Sequence, residues 1–279
     1  MTTTQTDAER AFAFLRLNER PPKPRARGVT EIRGPYYTPV GRRYLADVLE
    51  TMGAYVDTLK YAGGSFALMP RDEVRALNEL CHEHEVAVST GGFLEYVLTR
   101  GPEAVARYLE ECRELQFDIV EISSGFVTLP LDDLVRLTKT VHAAGLKPKP
   151  EVGIQFGAGG ASTVAALEAQ GTHDVGQAIE LAKRHLDAGA HMLMIESEGI
   201  TEQVREWRTD VVARFASEIG LENVMFEAAD PDVFSWYVKN YGIDVNLFVD
   251  HSQIVQLECL RAGMWGTHDT WGRMLAYRA

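Results

Sequence analysis

Cysteine is scarce in this chain: Cys81, Cys112 and Cys259 are the only three in 279 residues. They are far apart and odd in number, which argues against a disulfide framework or a Cys-rich zinc site and for a reducing compartment. Long hydrophobic runs are missing too. Nothing approaches the roughly eighteen uninterrupted apolar residues of a membrane span, and the opening MTTTQTDAER lacks the apolar core of a secretion signal. Positive charge is in deficit, with 28 Lys and Arg against 40 Asp and Glu and a net charge of −12. No basic stripe appears, and each nucleic-acid phosphate contact needs a Lys or Arg, so a polyanionic partner is not expected. The expectation is a cytoplasmic protein that handles a small molecule, without nucleic acid or membrane.

Apolar residues, in contrast, are plentiful. With 46% hydrophobic and 24% charged residues, the chain can bury the core of one large α/β domain without staples. The stretch that organises it is FDIVEISSG, residues 117–125. It is greasy along its length and delivers Glu121, Ser123 and Ser124 just before a glycine. The same pattern recurs: KPKPEVG ends on Glu151, HMLMIESEG on Glu196 and Glu198, and NVMFEAA on Glu227. Parallel strands buried on both faces read this way, and their ligands gather at the C-terminal ends.

Taken in order, the chain alternates strand and helix. After a polar start, AFAFLRL (11–17) is an apolar patch suited to capping a barrel or meeting another subunit, and the proline-rich PPKPRARG (21–28) is an extended connector. Strand-like runs then end near Arg33, Lys60, Ser89, Glu121, Glu151, Glu196, Glu227 and Asp250, each followed by an amphipathic segment. PYYTPVGRRYLADVLETMG is read as a loop and a helix closed by Gly53, and helices are read over PRDEVRALNELCHEHE, over FLEYVLTRGPEAVARYLEECRELQ with a break at Gly101 and Pro102, and over TEQVREWRTDVVARFASEIG. Pro148 and Pro150 are poor residues for a central strand. Segment 154–177 is long for a strand-to-helix loop and rich in Gly, Ala and Ser, which marks it as functional. Eight such units predict a single-domain (β/α)8 TIM barrel over residues 28–279, preceded by an extension and connector over 1–27. A doubly wound sheet is the alternative, but no Gly-rich dinucleotide fingerprint follows the first strand.

The candidate site follows from this layout. Glu121, Glu151, Glu196 and Glu227 at four strand ends form a carboxylate ring suited to a hard divalent cation, Mg2+ in particular. Lys60 is the candidate acid or anion partner beside Glu121 and Glu151, and Arg33 offers a planar fork to a carboxylate or phosphate. Gly91 and Gly92 in STGG would present backbone N–H groups to an anion, or merely turn the chain. Ser123, Ser124, Ser197, Asn246 and His251 are the remaining candidate substrate contacts. Each has a plain structural alternative: a strand-end glutamate can pair with a lysine or cap a helix, Arg33 can pair with Glu31 or a ring glutamate, and a lone histidine is usually only polar. GAGGAS (157–162) has the composition of an anion nest or of a lid. His268, Trp265 and Trp271 near the C-terminus suit ligand contact less well than packing or subunit contact.

RGVTEI, LKYAGGS, STGGFLEY, VEISSG, PEVG, MIESEG, VMFEAA, VNL and LECLRAG, in this order, resemble the phosphosulfolactate synthase family over roughly residues 11–272. The resemblance implies a (β/α)8 barrel that adds sulfite to phosphoenolpyruvate with magnesium, on a route to coenzyme M. It also implies a small anionic substrate; a homo-oligomer is expected as well. The chain departs from the family's pattern in its cations. Arg33-Gly34-Pro35 stands where the family has an acidic residue, Ile154 and Gln155 where lysines follow the fifth strand, and Ser197 where an arginine follows the sixth-strand glutamate. A basic residue near Trp265 is also missing. Compensation by Arg33, Lys60, Lys147 or Lys149 would preserve the family's reaction. Otherwise a less anionic unsaturated acid, or a non-catalytic role like that of the plant heat-stress-associated members, is the alternative.

Overall fold

The computed structural model describes residues 10–155, 158–159, 162–169, 175–265 and 272–277; His268, Trp271 and part of GAGGAS lie outside them. Strand and helix alternate as the sequence pattern predicts. Eight strands follow one another: β1 (Thr30–Arg33), β2 (Thr58–Lys60), β3 (Ala87–Ser89), β4 (Ile119–Ile122), β5 (Lys147–Val152), β6 (Leu193–Ile195), β7 (Val224–Glu227) and β8 (Leu247–Asp250). Each pairs in parallel with its sequence neighbour, and β8 closes on β1 through Ile32 opposite Val249, so the sheet is a closed (β/α)8 barrel. The helices are α1 (Arg42–Met52), α2 (Arg71–Glu83), α3 (Leu94–Leu98), α4 (Pro102–Glu114), α5 (Leu131–Ala143), α6 (Val164–Ala169), α7 (Val175–Asp187), α8 (Thr209–Glu218), α9 (Pro231–Tyr241) and α10 (Ile254–Arg261).

Local chemistry sets the helix boundaries. In DPD, the Asp230 carboxylate accepts from the Asp232 N–H at 2.7 Å, and Pro231 opens α9 where its missing donor costs nothing. Gly101, at φ +94°, separates α3 from α4, and Pro102 starts the second. The helix expected from residue 201 begins only at Thr209. Thr201 and Glu202 instead fold their N–H groups onto the Ser197 carbonyl at 2.9 and 3.0 Å, and Arg208 N–H reaches Ile200 O at 2.8 Å. The intervening loop places Trp207 beside the barrel mouth.

Side chains alternate across the barrel wall. Ile32, Leu59, Val88, Val120, Val152, Leu193, Val224 and Val249 point outward into the core shared with the helices. Val29, Met192, Met194, Met225 and Phe248 form a separate apolar plug inside. Strand β5 accommodates Pro148 and Pro150 because its two sides are not equivalent. Lys147 N–H bonds Asp118 O toward β4, so the alternate positions held by the prolines would donate toward β6, where pairing is confined to Glu151 and Val152. The prolines are buried on the outer face, and Lys149 and Glu151 share the inner one.

The N-terminal end of the barrel is closed by arginines. Arg261 is fully buried and donates to Gly28 O at 3.0 Å, Thr30 Oγ1 at 2.8 Å and Val245 O at 2.7 Å. Arg20 pairs with Glu258 and also donates to Gly28 O. Arg25 pairs with Asp57 at 2.8 Å, and the same carboxylate accepts from Thr30 N–H. The connector before β1 is thereby latched to the barrel floor.

Candidate active site at the C-terminal mouth

Above the apolar plug, the inward positions of β1, β2, β4 and β5 carry charge of alternating sign. Lys149 lies 2.6 and 2.8 Å from the two oxygens of Glu31 and 3.1 Å from Glu121 Oε2. Glu121 Oε1 is 2.9 Å from Lys60, whose ammonium stands 3.9 Å from Glu151 Oε2. The chain Glu31, Lys149, Glu121, Lys60, Glu151 thus climbs from the middle of the barrel to its mouth. A second group completes the ring: Arg33 lies 3.3 Å from Glu227 and 3.9 Å from Asp250. The Phe248 ring joins the two groups, with Lys60 Nζ 4.6 Å and the Arg33 guanidinium 5.0 Å from its centre.

Carboxylates outnumber cations here. Lys60, Lys149 and Arg33 face Glu31, Glu121, Glu151, Glu196, Glu227 and Asp250, and the imbalance sets the protonation states. Burial works against a charged Lys60, but Glu121, Glu151 and Glu227 overcome it and hold its pKa above the ordinary lysine value. Burial likewise opposes a charged Glu121, and here Lys60 and Lys149 prevail and lower its pKa. Glu151 goes the other way: burial, then the charge of Glu121, push it up to about 8 despite Lys60. Glu196 is held well above the usual carboxylate range by burial and by Glu227 and Glu151. For Glu227, burial outweighs Lys60 and Arg33 and raises the pKa.

Gly159 covers this excess. A Cβ there would lie 2.8 Å from Glu196 Oε2 and 3.6 Å from Glu151 Oε1, so the two carboxyl groups open toward the same point. Its N–H is held at 3.0 Å by Glu198, which also accepts from Ser162 N–H at 3.3 Å. Glu95 pins the loop after β4 in the same manner, accepting from the N–H groups of Gly125, Phe126 and Val127 at 3.1, 2.8 and 3.1 Å.

Beside the ring a cavity of about 630 Å³ opens between the ends of β1, β6, β7 and β8. Arg33, Glu227 and Asp250 form its inner wall, and Ser197, Glu202, Trp207 and His251 line the remainder. Ser197 Oγ donates to Glu202 at 2.8 Å, and His251 Nδ1 sits 2.9 Å from Arg33 O. A site of this size accepts a small metabolite.

The candidate residues divide between this mouth and elsewhere. Arg33, Lys60, Glu121, Glu151, Glu196, Glu227, Ser197 and His251 lie at the mouth or in the cavity. Gly92 faces it as well, since a Cβ there would meet Ser123 Oγ at 2.7 Å and Glu121 Oε1 at 3.9 Å. Ser123 is therefore at the ring, and Ser124 follows it half-buried in the loop. Gly91 turns the chain at φ +60°; a Cβ would strike the Tyr61 carbonyl at 2.2 Å. Asn246 belongs elsewhere. Preceding β8, it accepts from Val29 N–H at 2.8 Å and donates to Leu221 O and Val224 O at 2.9 and 3.0 Å, all at the barrel floor. Lys147, exposed at the start of β5, is likewise at the wrong end to replace a mouth cation. Trp265 lies exposed beyond α10. Arg33 pairs with Glu227 and Asp250 rather than with Glu31, which is bound to Lys149.

Glu31, Glu95 and Asp250 were not among the candidates. Period-two spacing reveals two of them, because Glu31 precedes Arg33 by two residues and Asp250 follows Phe248 by two on inward faces. Glu95 gives no such signal.

The mouth suits a hard cation at some of its carboxylates only. Glu121 does not fit, since its oxygens are engaged by Lys60 and Lys149. Glu196, which has no ion pair among the described residues, and Glu227, held by Arg33 alone at 3.3 Å, are the chemically apt donors. Among the described residues no group of three or more His, Cys, Asp or Glu side chains is arranged to hold a metal ion. What is available matches magnesium's habit of taking one or two carboxylates and completing its shell with water and substrate oxygens.

Fold and site together define a single-domain (β/α)8 barrel with a buried, net-acidic ionic ring at its C-terminal mouth. The model of the (2R)-phospho-3-sulfolactate synthase (ComA) family matches residues 18–267, and the chain belongs to that family. It is 38% identical over 259 residues to Protein HEAT-STRESS-ASSOCIATED 32 of Arabidopsis thaliana, covering 89% of this chain and 91% of that one. It is 27% identical over 271 residues to the phosphosulfolactate synthase of Methanothermobacter thermautotrophicus, covering 95% and 98%. The carboxyl transferase domain of Rhizobium etli pyruvate carboxylase, solved with pyruvate, superposes with a TM-score of 0.56 at 9% identity, over 81% of this chain and 40% of that one. That likeness is one of fold. No helix among the described residues is long and apolar enough to cross a membrane.

Proposed function

We propose that the chain is an enzyme of the phosphosulfolactate synthase type, forming a carbon–sulfur bond by adding sulfite to phosphoenolpyruvate or a closely related unsaturated acid. The observation that carries this reading is the Lys60, Glu121 and Glu151 cluster at the mouth, with distances of 2.9 and 3.9 Å. Sulfite is nucleophilic without a base. Its sulfur lone pair forms the bond to C3, the double-bond electrons move toward C2 and the carboxylate, and an acid must then deliver a proton to C2. Glu151 is the group placed for that delivery, being protonated at neutral pH and adjacent to an ammonium that steadies its anion afterwards. Glu121 holds Lys60 in position, and Lys149 holds Glu121. Arg33, stacked on Phe248, is the fork for a carboxylate or phosphate.

Glu196 and Glu227 would hold a magnesium ion, which when bound supplies positive charge for the substrate's carboxylate and phosphate. Their location next to Arg33 and beneath Gly159 supports this assignment. The excess of carboxylates favours a second reading, in which the acceptor is a less anionic unsaturated acid. An acidic mouth repels a phosphorylated, sulfonated product unless the metal offsets it.

The test is consumption of phosphoenolpyruvate by the purified protein with sulfite and magnesium, followed by phosphorus NMR. A phosphosulfolactate signal that disappears with EDTA is the expected result. Without a product, but with magnesium still raising the melting temperature, the second reading stands. If neither product nor thermal shift is seen, enzymatic function is refuted in favour of a binding role.

A further inference from the structure

A second cavity, of about 510 Å³, lies on the outside of the barrel between α2, α3 and α4, away from the ionic mouth. Its floor is aromatic. Phe66 packs against Phe93 and Phe117 with ring centres 5.1 Å apart in both cases, and Phe93 stacks on Tyr96 at 5.5 Å. Val74, Val97 and Ala104 complete the walls. The rim is basic, unlike the chain as a whole. Arg71 and Glu111 neutralise each other. Arg100 donates to Tyr96 Oη at 2.7 Å and lies over its ring, and Arg107 has no ion pair among the described residues. Two guanidinium groups without carboxylate partners among the described residues therefore stand over an apolar, aromatic floor, in a protein whose net charge is −12.

We propose that this side cavity binds a small amphipathic monocarboxylate, with an aliphatic tail against Phe66, Phe93 and Phe117 and its carboxylate at Arg100 and Arg107. The chemistry is that of ligand sites generally: apolar walls give affinity, and a few convergent polar groups fix orientation. A second copy of the chain is the less suitable occupant. Its exposed Phe12, Phe14 and Leu15 would fill the cavity, but Arg10 and Arg16 flank them and would face the basic rim.

The site also touches the mouth. Phe93 directly follows Gly92, which abuts Ser123 and Glu121, and its ring lies over Gly64. Phe66 packs edge-on to Tyr61 at 5.8 Å, and Tyr61 follows Lys60. A ligand resting on these rings lies behind the segments that place the ring's central cation and outside the ionic mouth itself, which sets its site apart from the substrate's.

Calorimetric titration of the full chain with decanoate tests this. The expected result is one saturable site whose affinity falls at least tenfold for decanol and for the Arg100→Glu/Arg107→Glu double variant. Ala104→Trp, which fills the cavity, should abolish binding. Lys60→Met at the mouth should leave it unchanged. Three results would overturn the proposal: no saturable binding below the detergent range of the acid, affinity indifferent to the arginine charges, or loss of binding in Lys60→Met. Sedimentation gives an independent check. If the wild-type chain self-associates and Ala104→Trp dissociates it, the cavity is an interface between copies and the proposal is wrong.

Discussion

The two ends of the barrel bury charge in opposite ways. At the floor, Arg261, Arg20 and Arg25 spend their donors on carbonyl groups, a threonine hydroxyl and two carboxylates. At the mouth, among the described residues, six carboxylates share three cations, and Glu151 and Glu196 are left to hold protons. Buried charges tied to backbone carbonyls fix geometry, even with Arg20 Nε, Arg261 Nε and Glu258 Oε1 left unbonded among the described residues, whereas a carboxylate cluster with too few cations has an unmet electrostatic demand that a substrate or metal can fill. The floor is therefore architectural and the mouth is reactive, although both read as charged residues next to strands.

Removing charge from each end should break this comparison in different observables. The largest effect is expected at the mouth. Lys60→Met should lower turnover with sulfite and phosphoenolpyruvate by roughly 10²–10³-fold, the usual worth of one preorganised electrostatic contact, because it removes the ammonium that steadies the Glu151 anion. The folded state should persist, because Lys149 still pairs with Glu121. At the floor the consequence should fall on stability: Arg261→Met deletes three buried hydrogen bonds, to Gly28 O, Thr30 Oγ1 and Val245 O, while Arg20 keeps its pair with Glu258, for a loss of about 3–5 kcal/mol in urea denaturation. The activity per folded molecule should remain.

The pH dependence of stability separates the ends again. Glu151 has a folded pKa of about 8, above the unfolded value of roughly 4.3. The folded state therefore holds a proton that the unfolded state releases. Its contribution is fully present below about pH 4.3, declines as pH rises, and is lost once the pH passes about 8. Over that window, without metal, Glu151→Gln should flatten the fall in stability by about 2–3 kcal/mol after allowance for screening. Arg261→Met should not change the slope there, because an arginine stays charged in the unfolded chain and burial lowers Arg261 only to about 9. The smallest effect belongs to neither end. Arg75→Ala breaks an exposed helical pair with Glu79 and should alter the melting free energy by no more than about 0.5 kcal/mol.

Much of this could be read from the sequence. Apolar runs that end in glutamate identified four of the strands and their C-terminal ends, and the eightfold alternation predicted the barrel. The ring glutamates and Lys60 followed from the same pattern. What could not be read was which carboxylate is neutralised. Glu121 and Glu151 look alike in sequence, yet Lys149 and Lys60 flank the first, and only Lys60, at 3.9 Å, reaches the second. That difference depends on barrel register, which sets Glu121 of β4 directly opposite Lys149 of the neighbouring β5. Asn246 misled for a related reason: it sits beside a strand, but at its beginning, and the VNL motif does not reveal where pairing starts. The loop over 201–208 was obscured because its residues are good helix formers, and only their contacts with Ser197 and Ile200 keep them out of α8.

The most direct test of the mouth as an under-neutralised ring is carbon-13 NMR of the protein labelled at glutamate carboxyl carbons, titrated in EDTA. A resonance with a midpoint near 8 that is absent from Glu151→Gln is expected. If every glutamate titrates within the ordinary carboxylate range, the mouth carries no unmet charge and the account is contradicted.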